Sequence, residues 1–106
     1  MSQAITVLAP IKLASGKNED DLITASKRFQ NEFVDQQSGI LRRELVRQGE
    51  GVYLDIIQFR SQQDVEEVML LEQESPACHA FIAVMDMSAE DPDAIKFCPS
   101  LATYNR

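Results

Sequence analysis

The sequence predicts an α+β sandwich, four antiparallel strands with helices on one face, in a single domain over residues 1–106. Three observations predict it. Stretches alternating apolar and polar residues with period two are interleaved with stretches of helical period, in the order β-α-β-β-α-β. The triplet Gly49-Glu50-Gly51 separates two adjacent strand patterns and reads as the loop of an antiparallel hairpin. At 106 residues, 44% apolar and 25% charged, the chain has the size and composition of one globular domain.

The first strand pattern runs from Ala4 to Ala14. Ile5, Val7, Ala9, Ile11 and Leu13 share one face, and Thr6, Leu8, Pro10 and Lys12 the other. Pro10 has no N–H for a ladder, so this strand is expected to be an edge or to carry a bulge. Ser15-Gly16-Lys17 breaks the alternation. Asn18 then caps a helix, with Asp21 three residues on and Glu19 and Asp20 suiting the positive helix end. Leu22, Ala25, Ser26, Phe29 and Phe33 form its apolar stripe, and Gly39, slightly past the last helical residues, reads as a C-terminal stop.

Strands are expected from Ile40 to Gln48 and from Val52 to Arg60. The second is apolar on both faces: Val52, Leu54 and Ile56 on one, Tyr53, Ile57 and Phe59 on the other. Such a strand needs cover on both sides, and helices supply only one. Ser61 caps a second helix with Asp64 at its third position; Val65, Val68, Met69 and Leu71 make its apolar side. Pro76 breaks that helix and suits the first turn of another, capped by Ser75 and reaching about Met85 with Cys78, Phe81, Ile82 and Met85 inward. Met87 to Asp93 is an acidic connector, and a last strand lies within Ala94 to Tyr104, interrupted near Pro99. This order is that of a ferredoxin-like sandwich, whose bare sheet face is the natural surface for pairing with a second copy of the chain.

Charge and composition exclude several functions. Seventeen acidic against ten basic residues give a net charge of −7, which repels nucleic-acid backbones and anionic membranes; neither is an expected partner. No apolar run is long enough to span a bilayer. Met1-Ser2-Gln3-Ala4 lacks the regions of a signal peptide, so a cytoplasmic location is expected. Cys78 and Cys98 are too few for a disulfide framework and are expected to be small buried residues. One histidine and two distant cysteines form no metal-ligand spacing, and there is no phosphate loop, dinucleotide fingerprint or hydrolase motif.

Three local features resemble the antibiotic biosynthesis monooxygenase family of the dimeric α+β barrels, over roughly Ile5 to Met85. They are the turn Ser15-Gly16-Lys17 before an acidic helix start, the Gly-led strand Gly39-Ile40-Leu41-Arg42-Arg43-Glu44-Leu45, and Ile56-Ile57-Gln58-Phe59-Arg60-Ser61 followed downstream by Ser75-Pro76-Ala77-Cys78-His79-Ala80-Phe81. The resemblance implies a homodimeric barrel formed through the sheet faces, with a pocket between sheet and helices in each subunit. It also implies oxidation of a small aromatic or polycyclic phenol by molecular oxygen with no bound cofactor. Other members of the family have no known activity, so a non-catalytic small-molecule-binding or structural homodimer is the alternative. The chain has Phe59 where the family often has Trp, and Ala77-Cys78 where the later motif often reads His-Phe. The first strand lacks the Asn that haem-degrading relatives use.

Within that frame His79 is the candidate catalytic residue, since histidine is the side chain suited to moving a proton near neutral pH. The alternative is a helix-surface or partly buried histidine with a local hydrogen bond. Tyr53, Asp55 and Phe59 share one strand face and are candidates for substrate binding, the aromatics by stacking. Asp55, among apolar neighbours, is expected either to hold a raised pKa or to pair with an arginine. Met69 and Glu72 on the second helix are candidates for closing the same pocket; otherwise Met69 is core and Glu72 solvated.

Overall fold

The computed structural model describes residues 3–88 and 92–106. Met1 and Ser2, and Ala89-Glu90-Asp91 in the middle of the acidic connector, lie outside the described residues. The elements are β1 (Ile5–Lys12), α1 (Glu19–Glu32), β2 (Ile40–Gly49), β3 (Val52–Phe59), α2 (Gln62–Glu72), α3 (Pro76–Ala83) and β4 (Lys96–Pro99). Short 3-10 turns cover Val34–Gln36 and Pro92–Ala94. The strands form one antiparallel sheet in the order β2-β3-β1-β4, with the helices on one face, as the ferredoxin-like reading requires.

Local chemistry explains the element starts. Asn18 and Asp21 form a reciprocal capping box on α1, each side chain accepting from the other's backbone N–H at 2.9 and 3.0 Å. Ser61 caps α2 through the Asp64 N–H, and Ser75 caps α3 through the Cys78 N–H, with Pro76 in the first turn. Gly51 takes a φ of +72° in the β2–β3 turn, a backbone conformation that favours glycine. After α3 the chain returns to the end of β1, where Ala14 N–H donates to the Val84 carbonyl and Asp86 N–H to that of Lys12.

Ile5, Val7, Ile11, Tyr53 and Phe59 from the sheet pack on Leu22, Phe29 and Phe33 of the α1 segment, Val65 and Val68 of α2, and Cys78 and Phe81 of α3. The opposite sheet face carries Leu8, Val46, Val52, Leu54 and Ile56, none of them buried, with Val52 46% exposed. A polar corner of that face is covered by the chain after β4. Thr6 and Ser100 share a hydroxyl hydrogen bond of 2.7 Å, and Gln58 Nε2 donates to Thr103 Oγ1 at 3.0 Å.

Several expectations are corrected. Gly39 does not end α1, which stops at Glu32. Gly39 is needed elsewhere: a Cβ there would stand 2.5 Å from Asp64 Oδ1 and 2.7 Å from Asp64 Cβ, at the start of α2. Its carbonyl accepts from the Arg60 N–H at 2.8 Å, which pins the two segments together. Pro10 lies on an interior strand, yet β4 pairs only as far as Leu8, so β1 is an edge where Pro10 sits. The final strand does lie within the Ala94–Tyr104 stretch expected for it, as Lys96–Pro99, and stops at Pro99. Met69 and Leu71 do not face the core; both are 49% exposed, and of the apolar residues of α2 only Val65 and Val68 are buried. Ile82 is likewise exposed on α3.

Candidate functional site

β2 and β3 pair so that Arg43 stands opposite Ile57 and Leu45 opposite Asp55. Arg43 and Asp55 are therefore diagonal neighbours, and alternation points both at the helices. Above them α1 turns Ser26, Phe29 and Gln30 toward the sheet, the three- and four-residue spacing of one helix face. α3 brings Cys78 and Phe81 from the side, and Glu72 ends α2.

Arg43 is the hub. Its Nε donates to Asp55 Oδ2 at 3.1 Å, Nη2 to Ser26 Oγ at 2.8 Å, and Nη1 to the Ser26 carbonyl at 3.3 Å and Gln30 Oε1 at 3.4 Å. Its guanidinium carbon lies 5.1 Å from the centroids of both the Phe29 and Phe81 rings, within cation–π range. Those rings stack on each other at 5.3 Å. The Arg43 and Asp55 side chains are only 5% and 4% exposed.

The carboxyl groups are held away from their ordinary behaviour. Burial pushes the Asp55 pKa up, and the charge and hydrogen bond of Arg43 oppose it. Asp55 Oδ1 is buried and has no hydrogen-bond partner among the described residues. Glu72 is half-buried; burial raises its pKa first, and the negative charge of Asp55 raises it further, against Arg43. Cys78 Sγ lies 4.0 Å from Glu72 Oε2, and burial with the Glu72 charge pushes its thiol up to about 11. It is a neutral thiol and a poor nucleophile. The arrangement sets a buried guanidinium beside two carboxyl groups whose pKa values are raised toward taking up a proton.

Of the residues singled out from sequence, the structure gathers Asp55 and Glu72 in this cluster. Tyr53 and Phe59 lie on the same face of β3, both 5% exposed, and pack in the core. Burial and the neighbouring Glu19 carboxylate raise the Tyr53 pKa. Tyr53 lies at the hairpin end, where it lines an open groove of about 530 Å³ with Arg47 and Glu19, themselves paired at 2.6 and 2.8 Å. His79 and Met69 are not brought to the cluster. His79 is exposed on α3, with Nε2 2.8 Å from the Gln73 carbonyl oxygen, and Met69 faces solvent. Sequence reasoning missed Ser26 and Gln30. The available signal was Ser26 itself, a hydroxyl in an otherwise apolar helical stripe. Among the described residues no three metal-binding side chains gather, and no helix is long and apolar enough to cross a membrane.

A four-stranded antiparallel sheet with its helices on one face defines the class: the ferredoxin-like α+β fold found among the antibiotic biosynthesis monooxygenases. Solved structures share this fold. A Caulobacter crescentus protein classed with the antibiotic biosynthesis monooxygenases matches with TM-score 0.74 and 19% identity, over 95% of this chain and 92% of that one. SnoaB, a cofactor-independent oxygenase from Streptomyces nogalater, matches at 0.69 and 13%, over 98% and 97%. A monooxygenase from the gene ActVA-Orf6 of Streptomyces coelicolor, in complex with nanaomycin D, matches at 0.65 and 10%, over 99% and 93%. These neighbours are of the family that the sequence resembles, and at such identities the likeness shows the fold. No protein-family model matches the chain, and no curated protein does.

Proposed function

We propose that the chain is a cofactor-independent monooxygenase that oxidises a small aromatic phenol with molecular oxygen between its sheet and helices. The observation that carries this reading is the Arg43–Asp55–Glu72 cluster beneath Phe29 and Phe81, in a core that is otherwise mostly apolar. Burying such charges costs several kcal/mol per ion, roughly, before pairing offsets it. Carboxyls with perturbed pKa values beside a guanidinium are a common signature of proton-transfer sites. The likeness in fold to SnoaB, a cofactor-independent oxygenase, and to the ActVA-Orf6 monooxygenase in complex with nanaomycin D supports the same reading.

In this reading the carboxyl pair takes the phenolic proton, Arg43 offsets the phenolate charge, and the rings of Phe29 and Phe81 hold the substrate plane. The phenolate then reduces oxygen itself. When a ring CH₂ becomes a carbonyl, one oxygen atom enters the C=O and the other leaves as water with the two hydrogens. The substrate supplies all four electrons, so no separate reductant is consumed. Tyr53 and Phe59 would support the pocket from β3. His79 has no part in these steps, since it stands on the outer surface of α3.

The second reading is a non-catalytic binding or structural homodimer. Its structural form is favoured by the filling of the space between sheet and helices, where Asp55, Phe29, Phe81 and Cys78 are each at most 4% exposed. Oxygen consumption with a panel of anthrones, quinols and flavonols separates the two. Uptake that falls at least tenfold in Asp55→Asn is expected for the oxygenase, as for loss of one proton-transfer group. No uptake by the folded protein with any of them would leave the non-catalytic homodimer. In either case we propose pairing through the bare sheet face, burying more than about 1,000 Å². A monomer by light scattering at micromolar concentration would sink that part.

A further inference from the structure

We propose that residues 69–74, the end of α2 and the turn after it, form a latch worked by one proton. The latch closes on the sheet while Glu72 is a neutral acid and opens when that carboxyl ionises. It acts on the same cluster as the oxygenase reading but does not require turnover. The first support is how little holds this segment. Val68 is the last buried residue of α2, and the next along the chain is Ser75. Met69, Leu70 and Leu71 are exposed, and only Glu72 reaches part-way inward. The N–H groups of Gln73, Glu74 and Ser75 donate three residues back, to the Leu70, Leu71 and Glu72 carbonyls at 3.3, 3.1 and 3.1 Å. Such bonds have poorer geometry than those of an α-helix, and a turn with no buried apolar anchor opens at low cost.

The second support is the set of groups around Glu72. β3 supplies Asp55, β2 supplies Arg43, and α3 supplies the neutral Cys78 thiol, with Sγ 4.0 Å from Glu72 Oε2. α1 turns the neutral Ser26 and Gln30 toward the guanidinium. Arg43 directs its four hydrogen bonds to Asp55, Ser26 and Gln30, and none to Glu72 among the described residues. With both acids ionised, one guanidinium would serve two carboxylates, and Asp55 Oδ1 is already buried without a partner. Asp55 sits inside β3 at 4% exposed and stays; Glu72 ends a helix beside solvent and leaves. Burial and the Asp55 charge both favour the neutral form of Glu72, which sets the sign. Closure is complete below the ordinary carboxylate value near about 4 and is lost as pH rises through the raised one.

The third support is a tie on the outer side of the same corner. His79 Nε2 lies 2.8 Å from the Gln73 carbonyl oxygen, and the His79 backbone N–H donates to the Ser75 carbonyl at 3.0 Å. A charged imidazole always carries a donor at Nε2, whereas a neutral one does so in a single tautomer. A proton on His79 thus secures the turn from outside, as a proton on Glu72 secures it from inside. The two ties act in the same direction, and Glu72 is the one that meets the Arg43–Asp55 pair.

The test is amide hydrogen exchange of the intact protein, followed by NMR from about pH 5 to about pH 9, each rate taken relative to an unstructured peptide at the same pH. Protection of the Gln73, Glu74 and Ser75 amides should fall at least about tenfold over that range. The Val65 amide, bonded to the Ser61 carbonyl in the first turn of α2, should change less than about twofold. Glu72→Gln should flatten the profile, and Glu74→Gln, at an exposed neighbour, should keep it. His79→Ala should lower protection throughout and keep the fall. In the parent the fall should share its midpoint with the NMR titration of the Glu72 side-chain carboxyl carbon, a check that needs no variant. A flat parental profile, the same fall in Glu72→Gln, its loss in His79→Ala, or an equal fall at Val65 overturns the proposal. The expected fall without oxygen uptake from the phenol panel would remove the oxygenase reading alone. Uptake with a flat profile would remove this inference alone.

Discussion

Replacing Arg43 with methionine tests the energetics of the site directly. The change keeps an apolar stem of similar reach and removes the guanidinium, its four hydrogen bonds and its place over two aromatic rings. What remains is Asp55, 4% exposed, with neither oxygen partnered. Breaking a buried pair from one side costs about 3–5 kcal/mol, a large share of the roughly 5–15 kcal/mol that holds a domain together. The sign with pH follows from Asp55. Arg43 supplies both influences that lower its pKa, so in Arg43→Met the carboxyl is held still higher. The penalty is full above that raised folded value and fades as pH falls toward the ordinary carboxylate range near about 4. Urea unfolding at fixed protein concentration should therefore show a larger deficit at pH 7 than at pH 4. The double variant Arg43→Met/Asp55→Leu should recover to within about 2 kcal/mol of the parent, because an apolar pair can replace a buried ion pair at little cost. A single-variant loss below about 1 kcal/mol, or a double variant as unstable as the sum of the two singles, would refute the reasoning.

Three further outcomes are expected. Glu72→Gln removes a half-buried carboxylate that makes no ion pair among the described residues. The parent loses stability as pH rises from the ordinary carboxylate value through the raised folded one, so the variant should be more stable above that window, by about 1 kcal/mol, and equal below it; a loss at pH 7 in urea unfolding contradicts this. Gly39→Ala drives a Cβ into the Asp64 side chain at the start of α2 and should cost about 1–3 kcal/mol, read as a shift in the urea midpoint; an unchanged midpoint would mean the two segments are not pinned. Alkylation of the native protein should modify the half-buried Cys98 first and spare Cys78 until unfolding, which peptide mass mapping reads out.

Local signals carried much of the fold. Asn18, Ser61 and Ser75 each cap the helix whose start they announce, because a cap is decided within three residues of chain. The hairpin at Glu50-Gly51 is equally local. Gly39 was misread for the opposite reason. Its constraint comes from Asp64, twenty-five positions away, and no backbone signal reports such an approach. Met69 and Leu71 follow an apolar spacing on α2, yet of its apolar residues Val65 and Val68 alone are buried. Part of the site was legible: Asp55 among apolar neighbours and Arg43 on the adjacent strand are visible in the pattern. That they meet depends on register, which sets Leu45 opposite Asp55 and leaves Arg43 on the diagonal. The contribution of Ser26 and Gln30 depends on how α1 lies across the sheet, which periodicity does not encode.

The two faces of β3 bear on each other. On the helix side Asp55 brings a charge into a core that a 106-residue chain can ill spare, since a domain of this size buries only about two-thirds of its unfolded surface. On the other side Val52, Leu54 and Ile56 remain at least partly open, flanked by Leu8 and Val46. Covering that face with a second copy would add apolar burial at about 25 cal/mol per Å², which is the stabilisation a core with ionised groups lacks. The proposed dimer and the proposed site thus support one another: a polar cluster is tolerable on one face of the strand because apolar contact is available on the other. Unfolding should then depend on protein concentration, its midpoint rising as the chain is concentrated, whereas a self-sufficient monomer would unfold at one midpoint throughout.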